Sequence, residues 1–225
     1  MRPLRALIDL LFPTRAICVC CGSKAGLERE WVCEPCRRML ARNWIGAFTE
    51  HRMDGMAVAY RYAGPAGGMV RALKYRSVTG LAEMMASDML RAYEQIQPTG
   101  AEVVCAVPMH KKRLRRRGFN QSELLARQIA KALNLPYEPL LVRTRNTSQQ
   151  ARLHGAARRQ NLSGAFAANP AAAGRRVLLI DDVYTTGQTA HQCERALRDA
   201  GAKQVYCLYS RRETAERFSF NLFWE

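Results

Sequence analysis

One run of residues indicates the class of fold, and it reads Val177-Leu178-Leu179-Ile180-Asp181-Asp182-Val183-Tyr184-Thr185-Thr186-Gly187-Gln188-Thr189. Its first four residues are all β-branched or leucine, which is typical of a strand buried on both faces of a parallel sheet. Two carboxylates follow at the predicted carboxyl end of that strand. The run therefore predicts an α/β fold in which a buried strand brings Asp181 and Asp182 to the edge of the sheet where ligands bind.

The segment after the two aspartates is a turn rich in hydroxyl groups, followed by a helix. The apolar positions of this helix recur at helical spacing and are Ala190, Cys193, Leu197 and Ala200, with Gly201 as the stop. Hydroxyl groups and the free amides of a helix N-terminus bind anions, and Gly187 lets the backbone come close to one. We therefore expect the turn to bind a phosphate group, and the acidic pair to suit sugar hydroxyls or a metal ion.

Two other interpretations of the acidic pair have to be weighed. Solvated carboxylates are common at strand ends, and an apolar run followed by two aspartates also occurs in nucleotide hydrolases. A hydrolase of that kind needs the phosphate loop Gly-x-x-x-x-Gly-Lys-Ser/Thr, which the sequence lacks. The run from Asp181 to Thr189 instead resembles the phosphoribosyl pyrophosphate (PRPP) motif of the type I phosphoribosyltransferases. Tyr184 departs from that motif mildly, because many members have an aliphatic residue there.

The 225-residue chain has a net charge of +16, and most of it lies in one part of the sequence. Residues 103–182 contain fifteen Lys or Arg and four Asp or Glu, a net charge of +11. Such a field attracts polyanions, either nucleic acid or a pyrophosphorylated sugar, without distinguishing them. Six of the seven residues in the run 111–117 are basic, and this run follows a second predicted buried strand at 103–107. We expect a largely solvated loop there, placed to neutralise pyrophosphate.

The eight cysteines, in the absence of a secretory signal, are expected to be reduced cytosolic thiols that favour metal binding over disulfides. Cys18-x-x-Cys21 and Cys33-x-x-Cys36 have the spacing of a structural four-cysteine zinc site. Cys20 offers an alternative to Cys18 or Cys21, although only those two have the usual gap of two residues. The remaining cysteines are expected to be small core residues, namely Cys105, Cys193 and Cys207.

The sequence divides into two predicted parts, a zinc-binding module over residues 1–45 and an α/β domain over residues 46–225. The module has too few apolar residues for its own core, so zinc is expected to stabilise it. Further elements of the domain are strands at 56–62, 140–142 and 204–209, the last closing the sheet, helices at 81–96 and 120–133, a turn at 64–68 and a long mobile loop at 144–164. No apolar run approaches the roughly 20 residues of a membrane helix, so neither a membrane span nor a signal peptide is expected.

Several further segments occur in the order seen in the ComF family, the phosphoribosyltransferase-like competence group that includes ComFC and GntX-type proteins. They are the two cysteine pairs, Leu73-Lys74-Tyr75, Val107-Pro108, Arg113 to Arg117 with Gly118-Phe119-Asn120-Gln121, Thr147-x-x-Gln150-x-x-Leu153 and Arg158-x-x-Asn161. The chain resembles this family over nearly its whole length. The most specific parts are Arg-Gly-Phe-Asn-Gln and Asp-Asp-Val-Tyr-Thr-Thr-Gly.

The resemblance implies a type I phosphoribosyltransferase core, a parallel sheet with helices on both faces, preceded by a zinc-ribbon-like module with structural Zn2+. It implies PRPP and Mg2+ as ligands, with Asp181 and Asp182 at the ribose hydroxyls, directly or through metal and water. The residues expected at the 5′-phosphate are Thr185, Thr186, Gly187, Gln188 and Thr189. Those expected around the pyrophosphate are Arg113, Arg117, Arg152 and Lys74.

Two functions remain open from the sequence. One is an enzyme that transfers phosphoribosyl from PRPP to an unidentified acceptor, since no residue stands out as the acceptor's base. The other is a cytoplasmic factor for natural transformation that binds single-stranded DNA under the control of PRPP, without turnover, and acts with competence or recombination proteins. For the second function, the basic runs at 111–117 and 143–159 are expected to contact phosphates, with Phe119 and Tyr137 as stacking groups.

Overall fold

A computed structural model describes residues 17–24, 31–48, 53–61, 64–96, 100–145 and 164–213. Its helices are α1 (Glu34–Arg42), α2 (Pro65–Tyr75), α3 (Leu81–Tyr93), α4 (Lys111–Arg117), α5 (Gln121–Leu133) and α6 (Gln188–Asp199). Its strands are β1 (Trp44–Phe48), β2 (Gly55–Arg61), β3 (Val103–Ala106), β4 (Leu141–Arg143), β5 (Phe166–Ala168), β6 (Arg176–Tyr184) and β7 (Gln204–Arg212). Short 3-10 helices follow α3 at Glu94–Ile96 and precede β6 at Pro170–Ala172.

Five strands form one sheet in the order β1-β2-β7-β6-β3, in which all but the edge strand β1 run parallel. Helices α3 and α5 cover one face, while α6 and the antiparallel ribbon of β4 and β5 cover the other. This arrangement confirms the predicted α/β class with a mostly parallel sheet. The prediction that residues 204–209 close the sheet is wrong, because β7 is paired on both sides and lies at its centre.

Strand β6 has the burial that its apolar residues predict. All four are buried, and they alternate between the two cores on opposite faces of the sheet. Each such side chain stabilises the fold by about 1.5–3 kcal/mol relative to an exposed position. The strand does not end before the aspartates, however, because its pairing with β7 continues through Tyr184. The acidic pair therefore lies within β6, and the alternative of two solvated carboxylates at a strand end does not hold for Asp182, which is buried.

Residues 64–68 begin helix α2, where the sequence predicted a turn. Gly64 precedes the helix with a φ of +66°, and Pro65 lies in its first turn. The fixed φ of proline suits a helix, and its missing N–H costs nothing because N–H groups in the first turn have no acceptor within the helix. The buried positions recur at helical spacing and include Ala66, Met69, Val70 and Leu73. The glycine-rich composition suggested a turn, but this apolar stripe is strong enough to hold a helix against the core.

The basic run 111–117 is helix α4, where the sequence predicted a loop. The backbone N–H of Lys112 donates to Nδ1 of His110 at 3.3 Å, which caps the N-terminus. Gly118 ends the helix in the left-handed region, with a φ of +84°. Both signals are present in the sequence, and the helix they define presents its positive charges on a fixed surface.

The described part of the N-terminal module packs directly on the α/β core. Val19, Val32 and Leu40 belong to the same buried cluster as residues of α2 and α3. The division at residue 45 stays a prediction, and residues 1–16 and 25–30 lie outside the described part. Most of the predicted loop 144–164 also lies outside it. Within the described ranges, no helix combines the length and apolar character needed to cross a bilayer.

Candidate functional site

Four segments meet at the carboxyl end of β6 and bring together several of the predicted site residues. β6 supplies the acidic pair, and α5 presents its N-terminus to that pair. Helix α2 contributes Lys74 from its last turn, and α4 contributes Arg117. Because these segments are far apart in the chain, the site exists only in the folded protein.

Asp182 is 3% exposed and lies between two cations. Its Oδ2 is 2.5 Å from Nζ of Lys74, and its Oδ1 accepts a hydrogen bond from Nε2 of Gln121 at 3.4 Å. Oε1 of Gln121 accepts in turn from Nη1 of Arg117 at 2.7 Å. Lys74 therefore neutralises this carboxylate directly, while Arg117 is connected to it through one amide side chain.

Asp181 is held by the start of α5 rather than by a cation. Its Oδ1 accepts hydrogen bonds from Oγ of Ser122 at 2.7 Å and from the backbone N–H of Asp182 at 2.9 Å. Burial, and then the neighbouring charge of Asp182, raise the pKa of Asp181 to about 7. The two carboxylates therefore repel each other in a site of low dielectric, which favours a cation or a hydroxyl-bearing ligand between them.

The predicted phosphate-binding turn has an open helix N-terminus at its end. Gly187 precedes α6 with a φ of +74°, and among the described residues no side chain caps this helix. The N–H groups of its first turn are therefore available to an anion. A Cβ at position 187 would lie 2.7 Å from Oη of Tyr184 and 3.0 Å from Nε2 of His191. Backbone conformation and space both require glycine at this position.

Arg113 and Arg143 are partly buried cations that influence one another. Burial, followed by the charges of Arg117 and Arg116, lowers the pKa of Arg113. Burial, followed by the charge of Arg113, lowers the pKa of Arg143, while Asp181 acts in the opposite direction. Mutual repulsion among these guanidinium groups favours an anionic ligand that screens it. Arg152, the fourth predicted cation of the pyrophosphate site, lies outside the described residues.

An exposed aromatic ring stands beside these arginines. Tyr75 is 68% exposed, and the guanidinium carbon of Arg117 lies 5.3 Å from the centre of its ring. Tyr137, which the sequence suggested as a stacking group, packs against the core beneath Arg127 at 4.3 Å. The structure therefore favours Tyr75 over Tyr137 as a surface for a nucleobase.

Sequence reasoning missed Ser122, Gln121 and Arg143 as site residues. A signal for the first two was present, because asparagine before a helix is an N-cap. Oδ1 of Asn120 accepts from the N–H of Ser122 at 3.1 Å, and Nδ2 donates to the carbonyl of Val107 at 3.0 Å. This cap ties the start of α5 to the end of β3, which places both residues at the acidic pair. Arg143 had no comparable signal.

The four cysteines predicted to bind zinc come together. Their sulfur atoms all lie within 4.8 Å of one another, and the residues are Cys18, Cys21, Cys33 and Cys36. A tetrahedral zinc ion with Zn–S bonds of about 2.3 Å separates its sulfurs by about 3.8 Å. Sγ of Cys21 and Sγ of Cys33 are 3.6 Å apart. The cluster can therefore hold a zinc ion with little rearrangement.

Cys18 has the environment of a thiolate ligand, and Cys20 does not belong to the cluster. Burial raises the pKa of Cys18, but the backbone N–H groups of Cys33, Cys21 and Cys20 lower it to about 6. One of these donors, the N–H of Cys33, lies 3.4 Å from the sulfur. Sγ of Cys20 lies near Cys18 but donates to the carbonyl oxygen of Pro65 at 3.3 Å. Cys20 is not one of the four cysteines whose sulfurs lie within 4.8 Å of one another, which favours Cys18 and Cys21 as the ligand pair.

Three known proteins illustrate what this chain is similar to. Competence protein F of Haemophilus influenzae is 29% identical over 196 residues, which cover 82% of this chain and 81% of the relative. DNA utilization protein YhgH of Escherichia coli is 32% identical over 154 residues, which cover 65% of this chain and 68% of the relative. Competence protein ComFC of Bacillus subtilis is 28% identical over 206 residues, which cover 88% of this chain and 83% of the relative.

Residues 120–221 match the family described as the phosphoribosyl transferase domain, and this range contains the acidic pair and the phosphate turn. Among solved structures, the chain is similar to glutamine PRPP amidotransferase from B. subtilis complexed with ADP and GMP. The TM-score is 0.37 at 25% identity, and the match covers 57% of this chain. It covers 25% of the other chain, so the similarity spans a quarter of that enzyme's length and supports no argument about activity.

Proposed function

The chain belongs to the ComF family and carries a phosphoribosyltransferase domain of the type I α/β fold, and on that premise we propose that it binds PRPP with Mg2+ and transfers the phosphoribosyl group to an acceptor. One observation carries this proposal. The acidic pair and the open N-terminus of α6 stand at the two ends of a single short turn. Each end suits a different part of one phosphorylated sugar.

The proposed roles follow from the chemistry of the two ends. Asp181 and Asp182 offer carboxylate oxygens to the ribose hydroxyls, directly or through metal and water. The 5′-phosphate receives the amide donors of the first turn of α6, and the helix dipole adds a favourable field. The side chains that we assign to this anion are those of Thr185, Thr186, Gln188 and Thr189.

The reaction separates pyrophosphate from the ribose. The bond between C1′ and the pyrophosphate oxygen breaks, an acceptor atom forms a bond to C1′, and the acceptor loses its proton. We assign to Lys74, Arg113 and Arg117 the stabilisation of the negative charge that develops on pyrophosphate, and the contacts of Lys74 and Arg117 close to the acidic pair support this role. Asp181 and Asp182 would hold Mg2+, directly or through water, and the ion would supply further neutralisation of the pyrophosphate charge. Arg152 stays a prediction for this role.

Calorimetric titration with PRPP, with and without Mg2+, tests the binding step. Thr186 is exposed at the phosphate turn, so Thr186→Val leaves the core intact and is expected to weaken binding by about tenfold or more, the effect of losing a hydrogen bond to a charged group. Thr79→Val, at an exposed threonine elsewhere, is the matched control and is expected to bind normally. Absence of binding by the wild type would overturn the proposal. Pyrophosphate release in the presence of a panel of nucleobase acceptors then tests turnover.

A second candidate function is binding of single-stranded DNA under the control of PRPP, without turnover, and the position of Tyr75 favours it. This exposed ring lies beside Arg117 and close to helix α4, which carries six basic residues. Stacking surfaces next to cations suit single-stranded nucleic acid. Competence or recombination proteins as partners, and a cytoplasmic location, are further predictions of this candidate.

Fluorescence anisotropy with a labelled oligothymidine at several salt concentrations tests the second candidate. Affinity is expected to fall with salt by a log-log slope of ~0.7 per phosphate contacted. Neutralising Arg115 and Arg116 together is expected to reduce that slope, and Tyr75→Ala is expected to weaken binding by about 1–3 kcal/mol. Arg195→Gln, which removes one charge at an exposed arginine of α6, serves as a control away from the basic helix. A slope near zero would exclude this function.

A further inference from the structure

Helix α2 contacts the segment between Cys18 and Cys21 at its start and the acidic pair at its end. Its last turn carries Lys74, which pairs with Asp182, and Tyr75, which lies under Arg117. Most of the helix is buried. A displacement of α2 along its axis or away from its neighbours therefore moves the cation that neutralises the acidic pair.

The first knuckle, defined as residues 18–21, holds α2 at three places. At the start of the helix, Sγ of Cys20 donates to the carbonyl oxygen of Pro65 at 3.3 Å. In the second turn, the backbone of α2 lies so close that a Cβ on Gly68 would be 2.8 Å from Cα of Cys20. Beyond the last turn, Nη1 of Arg76 donates to the carbonyl oxygen of Val19 at 3.4 Å.

The two residues that make these contacts, Val19 and Cys20, stand between the ligand pair Cys18 and Cys21. A metal ion that binds both sulfurs fixes the intervening backbone, because the ligands and the chain close a small ring. The knuckle is further tied by the N–H of Val19, which donates to the carbonyl of Trp31 at 2.9 Å. Metal occupancy therefore determines whether the surface that supports α2 is rigid.

We infer that Val19 and Cys20 are positioning residues for the PRPP site, and that zinc in the cysteine cluster raises the affinity for Mg2+ and PRPP by holding α2 in place. This inference explains the cysteine between the two predicted ligands, whose sulfur donates a hydrogen bond to α2. It rests on the proposed function for its effect on PRPP. The contacts between the knuckle and α2 do not depend on that function.

Three substitutions separate this role from general support of the fold. Gly68→Ala improves the helix propensity of α2 but pushes it from the knuckle, since the new Cβ meets backbone. Arg76→Gln replaces the long guanidinium that reaches Val19 with a shorter amide, and Arg71→Gln makes the same change at an exposed position of the same helix as its matched control. At Cys20, Ser keeps a donor to Pro65 whereas Ala removes it. All these variants leave the four zinc ligands unchanged.

Hydrogen–deuterium exchange of residues 65–75 is the first measurement, with zinc content determined on the same samples. Gly68→Ala, Arg76→Gln and Cys20→Ala are expected to keep one zinc per chain and to exchange faster in α2. Arg71→Gln and Cys20→Ser are expected to match the wild type. Removal of zinc by a chelator is expected to accelerate the same amides, and its return to restore them. Unchanged exchange in α2 after zinc removal and in Gly68→Ala would overturn the positioning role, whatever the protein binds.

Calorimetry with Mg2+ and PRPP is the second measurement. The variants with faster exchange are expected to bind about tenfold more weakly, while Arg71→Gln binds as the wild type does. A wild-type protein that binds no PRPP would contradict the proposed function, and the exchange data would still decide whether the knuckle positions α2. Normal PRPP affinity in all variants would contradict the coupling between the first knuckle and the PRPP site. It would not contradict the proposed function.

Discussion

Lys74→Met is expected to lower the free energy of unfolding by about 3 kcal/mol, because Asp182 then stays buried without its counter-charge. The substitution keeps most of the aliphatic chain, so the loss reports the charge rather than a cavity. The side chain of Lys74 is 20% exposed and that of Asp182 4%, so solvent screens the pair only weakly. Removal of one partner from a buried pair costs about 3–5 kcal/mol. The lower end of that range applies because Gln121 continues to donate to the carboxylate.

Urea unfolding of a double-mutant cycle is the assay. Asp182→Asn removes the buried charge, so the double variant is expected to be more stable than Lys74→Met alone, with a coupling of about 1–3 kcal/mol. Lys112→Ala, at an exposed lysine of α4, is the control and is expected to change stability by less than about 0.5 kcal/mol. A loss below about 1 kcal/mol for Lys74→Met, or strict additivity in the cycle, would refute the idea that these residues form a buried pair.

Three further substitutions test other parts of the structure. Gly187→Ala is expected to lower the free energy of unfolding by about 1–3 kcal/mol, since residue 187 has a φ of +74° and a Cβ there would meet Tyr184. A variant that is as stable as the wild type in urea unfolding would contradict this prediction. Between pH about 4 and about 7, Asp181 is protonated in the folded chain but ionised in the unfolded chain, because its pKa is raised on folding. The free energy of unfolding is therefore expected to fall as the pH rises through this window. Asp181→Asn is expected to flatten that part of the pH profile, and an unchanged profile would count against the raised pKa. Cys33→Ser is expected to abolish stoichiometric zinc binding and to destabilise the described part of residues 1–45, whereas Cys207→Ser is expected to retain the metal. Elemental analysis of protein purified under reducing conditions measures the zinc content. Wild-type protein that contains no zinc would contradict this prediction.

The elements that sequence patterns predicted correctly are those that depend only on residues close together in the sequence. Four apolar residues in a row are buried in β6 because a central parallel strand has a core on both faces. The turn that follows needs hydroxyl groups and a glycine within a few positions, and a helix follows it as predicted, although α6 already begins at Gln188 and includes Thr189. The two Cys-x-x-Cys pairs place four sulfurs together because each pair needs only a tight local turn.

The predictions were wrong where the composition of a segment favours one structure and its packing in the folded chain favours another. The glycines of residues 64–68 suggested a turn, yet apolar residues at helical spacing hold α2 on the core. The high charge of residues 111–117 favours a loop, whereas the cap at His110 and the stop at Gly118 define the helix α4. Residues 204–209 had no signal for their place in the sheet, because strand order depends on which edges pair and not on the strand itself.

Local sequence pattern thus accounts for the strand, the turn that follows it and the cysteine cluster, while the partners of the acidic pair depend on long-range packing. Lys74, Gln121 and Ser122 reach the two aspartates because α2 and α5 cross the sheet edge at the end of β6. The same packing excludes water from Asp182 and raises the pKa of Asp181, since a carboxylate loses solvation when neighbouring helices cover it. No pattern along the chain encodes that burial, because it arises only when segments distant in sequence enclose the same space.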